Sequence, residues 1–215
     1  MSGSAQPPPP PFTDDTTAQY SGYAGATRAS TIPDGVGFWP RAGARVIDTL
    51  LHSVIAVAAG SFMRTVVFSA PATALDLDTL AARLAGSSPL NFLVGFLGFV
   101  AYHTVCEGLH GSSLGKFLLG QVVVTDQVRP CGLRAALIRS LAYLVDILFF
   151  GLVGYLAMRR TRLQKRHGDN WAGTFVARRS QVPIGSLRGR FGGVLALALA
   201  VDAAILMAYF AIKMM

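Results

Sequence analysis

The stretch LNFLVGFLGFVAYHTVCEGL, residues 90–109, contains a single charged side chain, Glu107. A helix rises 1.5 Å per residue, so a segment of about 20 apolar residues crosses the hydrocarbon core of a bilayer. Three further apolar segments flank it, at about 46–63, 133–158 and 191–212. The sequence therefore predicts an integral membrane protein built from helices.

The overall composition supports this class. Of the 215 residues, 52% are apolar and 14% are charged, whereas soluble domains carry about 25% charged residues. These values exclude a soluble enzyme and a disordered chain. We expect no enzymatic activity and no cofactor, because no nucleophile, base and oxyanion arrangement stands out.

Two features of the sequence resemble a phosphate-binding loop or a metal site but lack the required spacing. GSSLGK, residues 111–116, lacks the spacing of a phosphate-binding loop, and we expect Lys116 to be an interfacial cation just below the second span. Cys106 and Cys131 lack metal-ligand spacing and are expected to be buried or reduced thiols. We also expect no nucleic-acid partner, because the basic residues form one block between apolar runs.

That basic block constrains the topology. Nine basic residues and one acid, Asp169, lie between Arg159 and Arg190, and short loops of this kind favour the cytoplasmic side. Four plain spans with a cytoplasmic N-terminus would place the block outside. We therefore predict that residues 133–158, with Gly151 and Gly154 as the bend, enter and leave on the cytoplasmic side.

Two β-rich segments agree with this topology. Residues 121–125 and 174–177 have strand character, and short strands need a partner on the same side of the membrane. We predict an all-α membrane protein with three full spans, one bent or re-entrant segment, and a small cytoplasmic cap (residues 111–132 and 159–182) containing a β-pairing.

The chain divides into three predicted parts. Residues 1–36 are a disordered, Pro-rich tail, residues 37–182 are the membrane domain, and residues 183–215 add a C-terminal transmembrane helix. No signal peptide is visible, so the first span is expected to be retained. We expect a multi-pass protein of the cell membrane, with the N-terminus cytoplasmic, the C-terminus outside, and a short helix near residues 75–84 of the outer 70–89 loop.

An internal repeat supplies the main candidate site. RAGARVID, residues 41–48, aligns with RSLAYLVD, residues 139–146. Each copy places an arginine and an aspartate two helical turns apart on one face. The spacing favours crosswise pairing between helices, Arg41 with Asp146 and Arg139 with Asp48. Such pairs are either structural or part of a proton or cation site.

Other ionisable residues lie at a similar depth. His52 follows Asp48 by one turn, and His103 and Glu107 share a face of the second span. Their convergence predicts a metal or proton-relay site, or else ordinary hydrogen bonds between helices. Asp202 stands near the middle of the last span among small residues, so it is expected to be protonated or paired within the bundle or an oligomer.

Four motifs in order resemble the RDD family of small membrane proteins. They are GFWPRAGARVID (37–48), SLGKFLLGQVVVTD (113–126), RSLAYLVD (139–146) and QKRHGDNWAGTFV (164–176). The resemblance covers about residues 37–179 and implies an integral membrane protein. It maps the family's arginine and two aspartates to Arg41, Asp48 and Asp146, with Asp169 a further match.

Two departures from the family pattern stand out. The usual turn glycine after the central strand is replaced at 127–130, and a further span follows the family region. Some members of the family are associated with cation/proton antiport, so the resemblance implies transport as one function.

Two hypotheses follow for the function. One is exchange of protons for small cations, which with so few spans requires a homo-oligomer. The other is a non-transporting adaptor or assembly protein, in which the Arg/Asp pairs are structural and a basic loop binds acidic lipid headgroups or a protein partner. The loop residues expected to do this are Arg159, Arg160, Arg162, Lys165 and Arg166.

Overall fold

The structure, a computed structural model, describes residues 32–67, 89–146, 149, 151–183 and 190–214. In chain order its main elements are α1 (Phe38–Phe62), α2 (Pro89–Leu109), α3 (Leu114–Leu118), β1 (Gln121–Thr125), α4 (Leu133–Asp146), α5 (Leu152–Met158), α6 (His167–Ala172), β2 (Thr174–Arg178) and α7 (Phe191–Met214). A π-helical turn, Met63–Val67, extends α1. A 3-10 turn, Arg179–Gln181, follows β2.

Helices α1, α2 and α7 are, among the described residues, those long and apolar enough to cross a membrane. Helix α7 packs against both α1 and α2. Large apolar side chains such as Leu50, Val54 and Leu93 remain exposed on their outer faces, which suits contact with lipid rather than water. The prediction of an all-α membrane protein with three full spans is confirmed.

The third apolar segment forms the two helices α4 and α5. The chain bends at Gly151, whose φ of +84° favours glycine, as predicted. Gly154 instead lies inside α5, where an added Cβ would sit 3.1 Å from the carbonyl oxygen of Asp146. It therefore permits the close approach of α5 to the end of α4.

Helix α4 has two unlike faces. Leu133, Leu137 and Leu141 are exposed on one face, while Arg139 and Asp146 are buried on the other. Because α4 is only 14 residues long, it is shorter than a transmembrane helix. Its apolar face is suited to contact with lipid, and its polar face packs against the cap.

The cap contains a two-stranded antiparallel sheet. β1 pairs with β2 in a register that places Val123 opposite Val176, as the strand character predicts. Side chains pack on both faces of the sheet, one cluster around Val123 and Val176 and the other around Val122 and Phe175. Because β1 precedes the α4–α5 segment and β2 follows it, both ends of that segment lead to the same sheet.

The N-terminal boundary lies near residue 32. Contacts divide the chain after Ile32, and all the elements above belong to the unit Pro33–Met215. Val36 is buried, its N–H donates to the carbonyl of Val176 at 2.8 Å, and Gly35 forms a bridge with Ala177, so these two residues pair with β2. Residues 1–31 of the predicted tail and the predicted helix near residues 75–84 lie outside the described residues.

The repeat noticed in the sequence extends through the cap. In each half, a short helix packs against the helix that carries the motif. The short helix is followed by a glycine in the left-handed region, and a strand begins directly after that glycine. The short helices are α3 and α6, and the glycines are Gly120 (φ +62°) and Gly173 (φ +60°).

The contacts of the short helices with the long ones are also equivalent. Gly115 of α3 packs on Ala44, and Gly168 of α6 packs on Ala142. These alanines occupy the same position in the two motifs, so the two halves have the same local architecture.

Candidate functional site

A buried ion-pair network lies where the cap meets the membrane helices. It comprises Arg41, Glu107, Lys116, Arg139 and Asp169, each at most 7% exposed. Five different elements supply these residues: α1, α2, α3, α4 and α6. The network therefore ties the cap to the first two spans.

Arg139 is central to the network. Its Nη1 donates to Asp169 Oδ1 and, at 2.8 Å, to the Thr174 hydroxyl, while its Nε donates to Glu107 Oε2 at 3.2 Å. The guanidinium fork suits two carboxylates at once. Arg139 thereby joins the start of β2 to α2.

Asp169 also accepts from a second arginine. Arg41 Nη1 lies 2.5 Å from Asp169 Oδ2, and the backbone N–H of Arg166 donates to the same oxygen at 3.1 Å, which caps the first turn of α6. Burial alone would raise the pKa of the Asp169 carboxyl. The guanidinium groups of Arg139 and Arg41 outweigh burial and hold its pKa below the ordinary value of 3.8.

Glu107 is shared between Lys116 and Arg139. The Lys116 ammonium donates to Glu107 Oε1, and Lys116 is only 4% exposed. The expectation of an interfacial, snorkelling lysine is wrong, because α3 folds back against α1 and directs the amine inward. Burial lowers the pKa of Lys116 from 10.5 to about 8, although the Glu107 carboxylate opposes that shift.

Asp48 has a different environment, made of neutral donors. Its carboxylate accepts from the Tyr102 hydroxyl (3.1 Å), the Ser113 hydroxyl (2.6 Å) and the backbone N–H of Gly115 (2.8 Å). His103 Nε2 lies 3.9 Å from Asp48 Oδ2. Among the described residues no lysine or arginine forms an ion pair with this fully buried acid.

Asp146 is the equivalent acid of the second repeat. Its Oδ1 accepts from the backbone N–H of His167 at 3.3 Å, and its Oδ2 lies 3.9 Å from Arg166 Nε. Each repeat aspartate thus binds a backbone N–H in the first turn of the short helix packed on its own helix.

The predicted crosswise pairing of Arg41 with Asp146 and of Arg139 with Asp48 is therefore wrong. Helical periodicity places the arginine and aspartate on one face but does not say what meets that face. The arginines converge on Asp169, and the aspartates bind α3 and α6.

His52 and Asp202 form a separate pair within the helix bundle. His52 Nδ1 lies 2.8 Å from Asp202 Oδ2, and Asp202 is fully buried. The expectation that Asp202 is paired within the bundle agrees with this contact. His52 consequently points away from Asp48, and the predicted convergence of four groups holds for Asp48, His103 and Glu107 only.

His103 lies between two acids of the site. Its Nδ1 is 3.3 Å from Glu107 Oε1 and its Nε2 is 3.9 Å from Asp48 Oδ2. The ring is fully buried against Phe99 and Tyr102. No group of three metal-ligating side chains with suitable geometry occurs among the described residues.

The five basic residues proposed for lipid contact separate into two groups. Arg166 is mostly buried, beside Asp146 and Asp169, and Lys165 pairs with Asp126 at 2.6 Å. These two side chains belong to the folded cap, because each lies beside carboxylates of that cap.

The other three are exposed: Arg159, Arg160 and Arg162. Arg162 forms a surface ion pair with Asp34 at 2.8 Å.

Four participants in the site were not predicted from the sequence: Tyr102, Ser113, Thr174 and, as an ion-pair partner, Lys116. Hydroxyl and lysine side chains are common near membrane interfaces, so residue type alone did not indicate that these four belong to the buried site. The position of Ser113 directly before α3, in a motif already singled out, was the one available indication.

Comparison with known proteins adds a family match. The model of the RDD family matches residues 36–173, which include Arg41, Asp48, Arg139, Asp146 and Asp169. No curated protein and no solved structure matches the chain.

Proposed function

The chain belongs to the RDD family of membrane proteins, and from that premise we propose that it exchanges protons for small monovalent cations across the membrane, with Asp48 as the acid that binds them. The observation that carries this proposal is the charge environment of Asp48. It is a buried carboxylate whose donors are all neutral.

The other acids of the site are poor candidates for reversible binding. Asp169 is held by two guanidinium groups and Glu107 by Lys116 and Arg139. A proton or cation arriving at either acid would have to displace a buried positive charge, which costs several kcal/mol. Asp48 forms no ion pair with a lysine or arginine among the described residues, so a proton or cation can bind it without displacing a paired side chain.

The groups around Asp48 suit the binding of both a proton and a monovalent cation. The oxygen atoms of the Tyr102 and Ser113 side chains adjoin the carboxylate, and hard cations prefer oxygen ligands. His103 lies close to both Asp48 and Glu107, where an imidazole can take up and release the proton that a cation replaces. Arg139 and Lys116 form ion pairs with Glu107 beside that ring.

The test is proton movement in liposomes that hold the purified protein. A pH-sensitive dye inside reports proton flux when Na⁺, Li⁺ or K⁺ is added outside. We expect cation-driven flux from the natural protein and less than about one tenth of it from Asp48→Asn. Asp34→Asn is the matched control, because it removes an acid that is 67% exposed at a surface pair.

Loss of structure is separated from loss of binding by Ser113→Ala. This change removes a hydrogen bond to Asp48 and one oxygen ligand but keeps the acid, so flux should fall only in part, even where the thermal midpoint falls as far as in Asp48→Asn. Well-folded protein without flux, or Asp48→Asn with full flux, contradicts the proposal.

A second function is favoured by the exposed basic end of α5. Arg159 and Arg160 follow Leu152 and Leu156, whose side chains are also exposed. Apolar side chains next to exposed arginines suit the headgroup layer of an acidic membrane. An adaptor anchored in this way would co-sediment with anionic vesicles more strongly than with neutral ones. That difference would vanish in the double variant Arg159→Gln/Arg160→Gln.

A further inference from the structure

The His52–Asp202 pair lies within the bundle and outside the ion-pair network. Asp202 belongs to α7, beyond the residues matched to the family, and His52 lies near the middle of α1. Asp202 is fully buried, and the His52 side chain is 14% exposed. The two side chains meet at 2.8 Å between α1 and α7.

The second helix provides the space that this pair needs. A Cβ added to Gly98 of α2 would lie 2.3 Å from Asp202 Oδ1 and 3.3 Å from the Cε1 atom of His52. A side chain at residue 98 would therefore expel the carboxylate. Three helices, α1, α2 and α7, together form a compartment that fits an acid and an imidazole.

One oxygen of the pair lacks a partner. Asp202 Oδ2 meets His52 Nδ1, while Asp202 Oδ1 has no hydrogen-bond partner among the described residues. A carboxylate oxygen left without a donor in a membrane interior is costly. A bound proton removes that cost, because it converts the pair from a net negative charge to a neutral one.

Two other titratable groups, His103 and Arg45, approach the pair across the aromatic ring of Phe99. Phe99 of α2 contacts His52 at 6.0 Å between ring centroids and His103 at 4.4 Å. Arg45 of α1 places its guanidinium carbon 5.0 Å from the centroid of the same ring. Asp48, one turn before His52, turns towards Tyr102 and Ser113 instead.

We infer that His52 and Asp202 form a proton-binding site inside the membrane. In the ionised pair the Nδ1–H of His52 donates to Asp202 Oδ2; the pair takes up one further proton on the carboxylate, at the unpartnered Oδ1, and releases it when the carboxylate becomes ionised again. This inference goes beyond the proposed exchange at Asp48, since proton uptake here needs neither a cation nor the cap.

The ring of Phe99 separates this site from His103. If exchange occurs at Asp48, the two proton-binding groups are therefore neighbours along one path through the bundle.

The test is infrared difference spectroscopy of the full chain in lipid, recorded while the pH is changed. A protonated carboxyl group has a C=O band that shifts in heavy water. We expect such a band in the natural protein, its loss in Asp202→Asn, and its retention in Asp34→Asn. The asparagine keeps the size of the side chain and a hydrogen bond to His52, so a purely structural pair would tolerate it.

A second variant covers the case in which Asp202→Asn fails to fold. His52→Gln keeps Asp202 but removes its titratable partner, and should move the midpoint of the band by about one pH unit or more. A band unchanged in both variants, or no exchangeable carboxyl band in the natural protein, overturns the inference.

The two proposals fail separately. An Asp202 band without cation-driven flux refutes the proposed exchange and supports this site. Flux that requires Asp48, together with no Asp202 band, supports the proposed exchange and refutes the proton-binding site at Asp202.

Discussion

Arg41 and Arg139 donate to different oxygen atoms of the same carboxylate. Both occupy the first position of the repeated motif, one in α1 and one in α4, and they meet at Asp169 of α6. The two halves of the protein are thus joined by an acid that belongs to neither copy of the motif.

Removal of that acid should have a large effect on stability. Asp169→Asn leaves two buried guanidinium groups facing a neutral side chain, which we expect to cost about 3–5 kcal/mol. The thermal midpoint in detergent should fall steeply, while Asp34→Asn, at an exposed pair, should change stability by about 1 kcal/mol or less. Similar midpoints for both variants would refute a central role for Asp169.

The same acid should make the protein sensitive to low pH. The folded state holds the pKa of Asp169 below 3.8, so at pH values below 3.8 the unfolded chain binds a proton that the folded chain does not. Its stabilising contribution is complete above that pH and is lost as the pH falls towards the folded-state pKa. Thermal midpoints measured from pH 5 downwards should therefore drop, and Asp169→Asn should show a shallower drop.

Close contacts of the short helices predict a graded glycine series. A Cβ at Gly115 would lie 2.0 Å from the Ala44 carbonyl oxygen, and one at Gly168 would lie 2.8 Å from the Cβ of Ala142. We expect Gly115→Ala to lose about 3 kcal/mol or more and Gly168→Ala about 1–3 kcal/mol. Gly43→Ala is the control, because its Cβ would lie 3.4 Å from a flexible leucine side chain. Equal yields of folded protein from all three would contradict the packing described.

A second glycine pair tests the bundle. Gly98→Ala should displace Asp202, because its Cβ would lie 2.3 Å from the carboxylate oxygen, and should lower the thermal midpoint by the equivalent of about 1–3 kcal/mol. Gly95→Ala, whose Cβ would lie 3.9 Å from His52 Nε2, should behave like the natural protein. The infrared band of Asp202 should change in the first variant and not in the second.

The side of the membrane that carries the cap can be measured with one added thiol. Ser180 is exposed beside β2, so Ser180→Cys should react with an impermeant maleimide in inside-out vesicles and not in intact cells. The native Cys131 should stay silent in both, because it is buried and burial raises the pKa of its thiol to about 11. Labelling of Ser180→Cys from the outside of intact cells would reverse the predicted orientation.

Local patterns were sufficient for much of the fold. Apolar length identified the three spans, strand character identified the β1–β2 pair, and Gly151 marked the bend. Each of these features is decided within a few residues of the chain, which is why one sequence predicts them.

The partners of the charged groups depended on tertiary packing instead. Spacing placed Arg41 and Asp48 on one face of α1, but the folding of α3 and α6 against the repeat helices decided what each one meets. Asp169 sits in a helix of only six residues, too short for periodicity to show which way its carboxylate points. Similarly, nothing near Asp202 in the sequence indicates His52, since 150 residues separate them.

These separations also set an order for biosynthesis. Arg41 leaves the ribosome 128 residues ahead of Asp169, so α1 and α2 are made while Arg41 still lacks the carboxylate that binds it. Synthesis of α6 and β2 supplies both the shared acid and the second strand, and closes the cap. Asp202 is synthesised later still, so of these contacts the one between His52 and Asp202 is the last for which both residues exist.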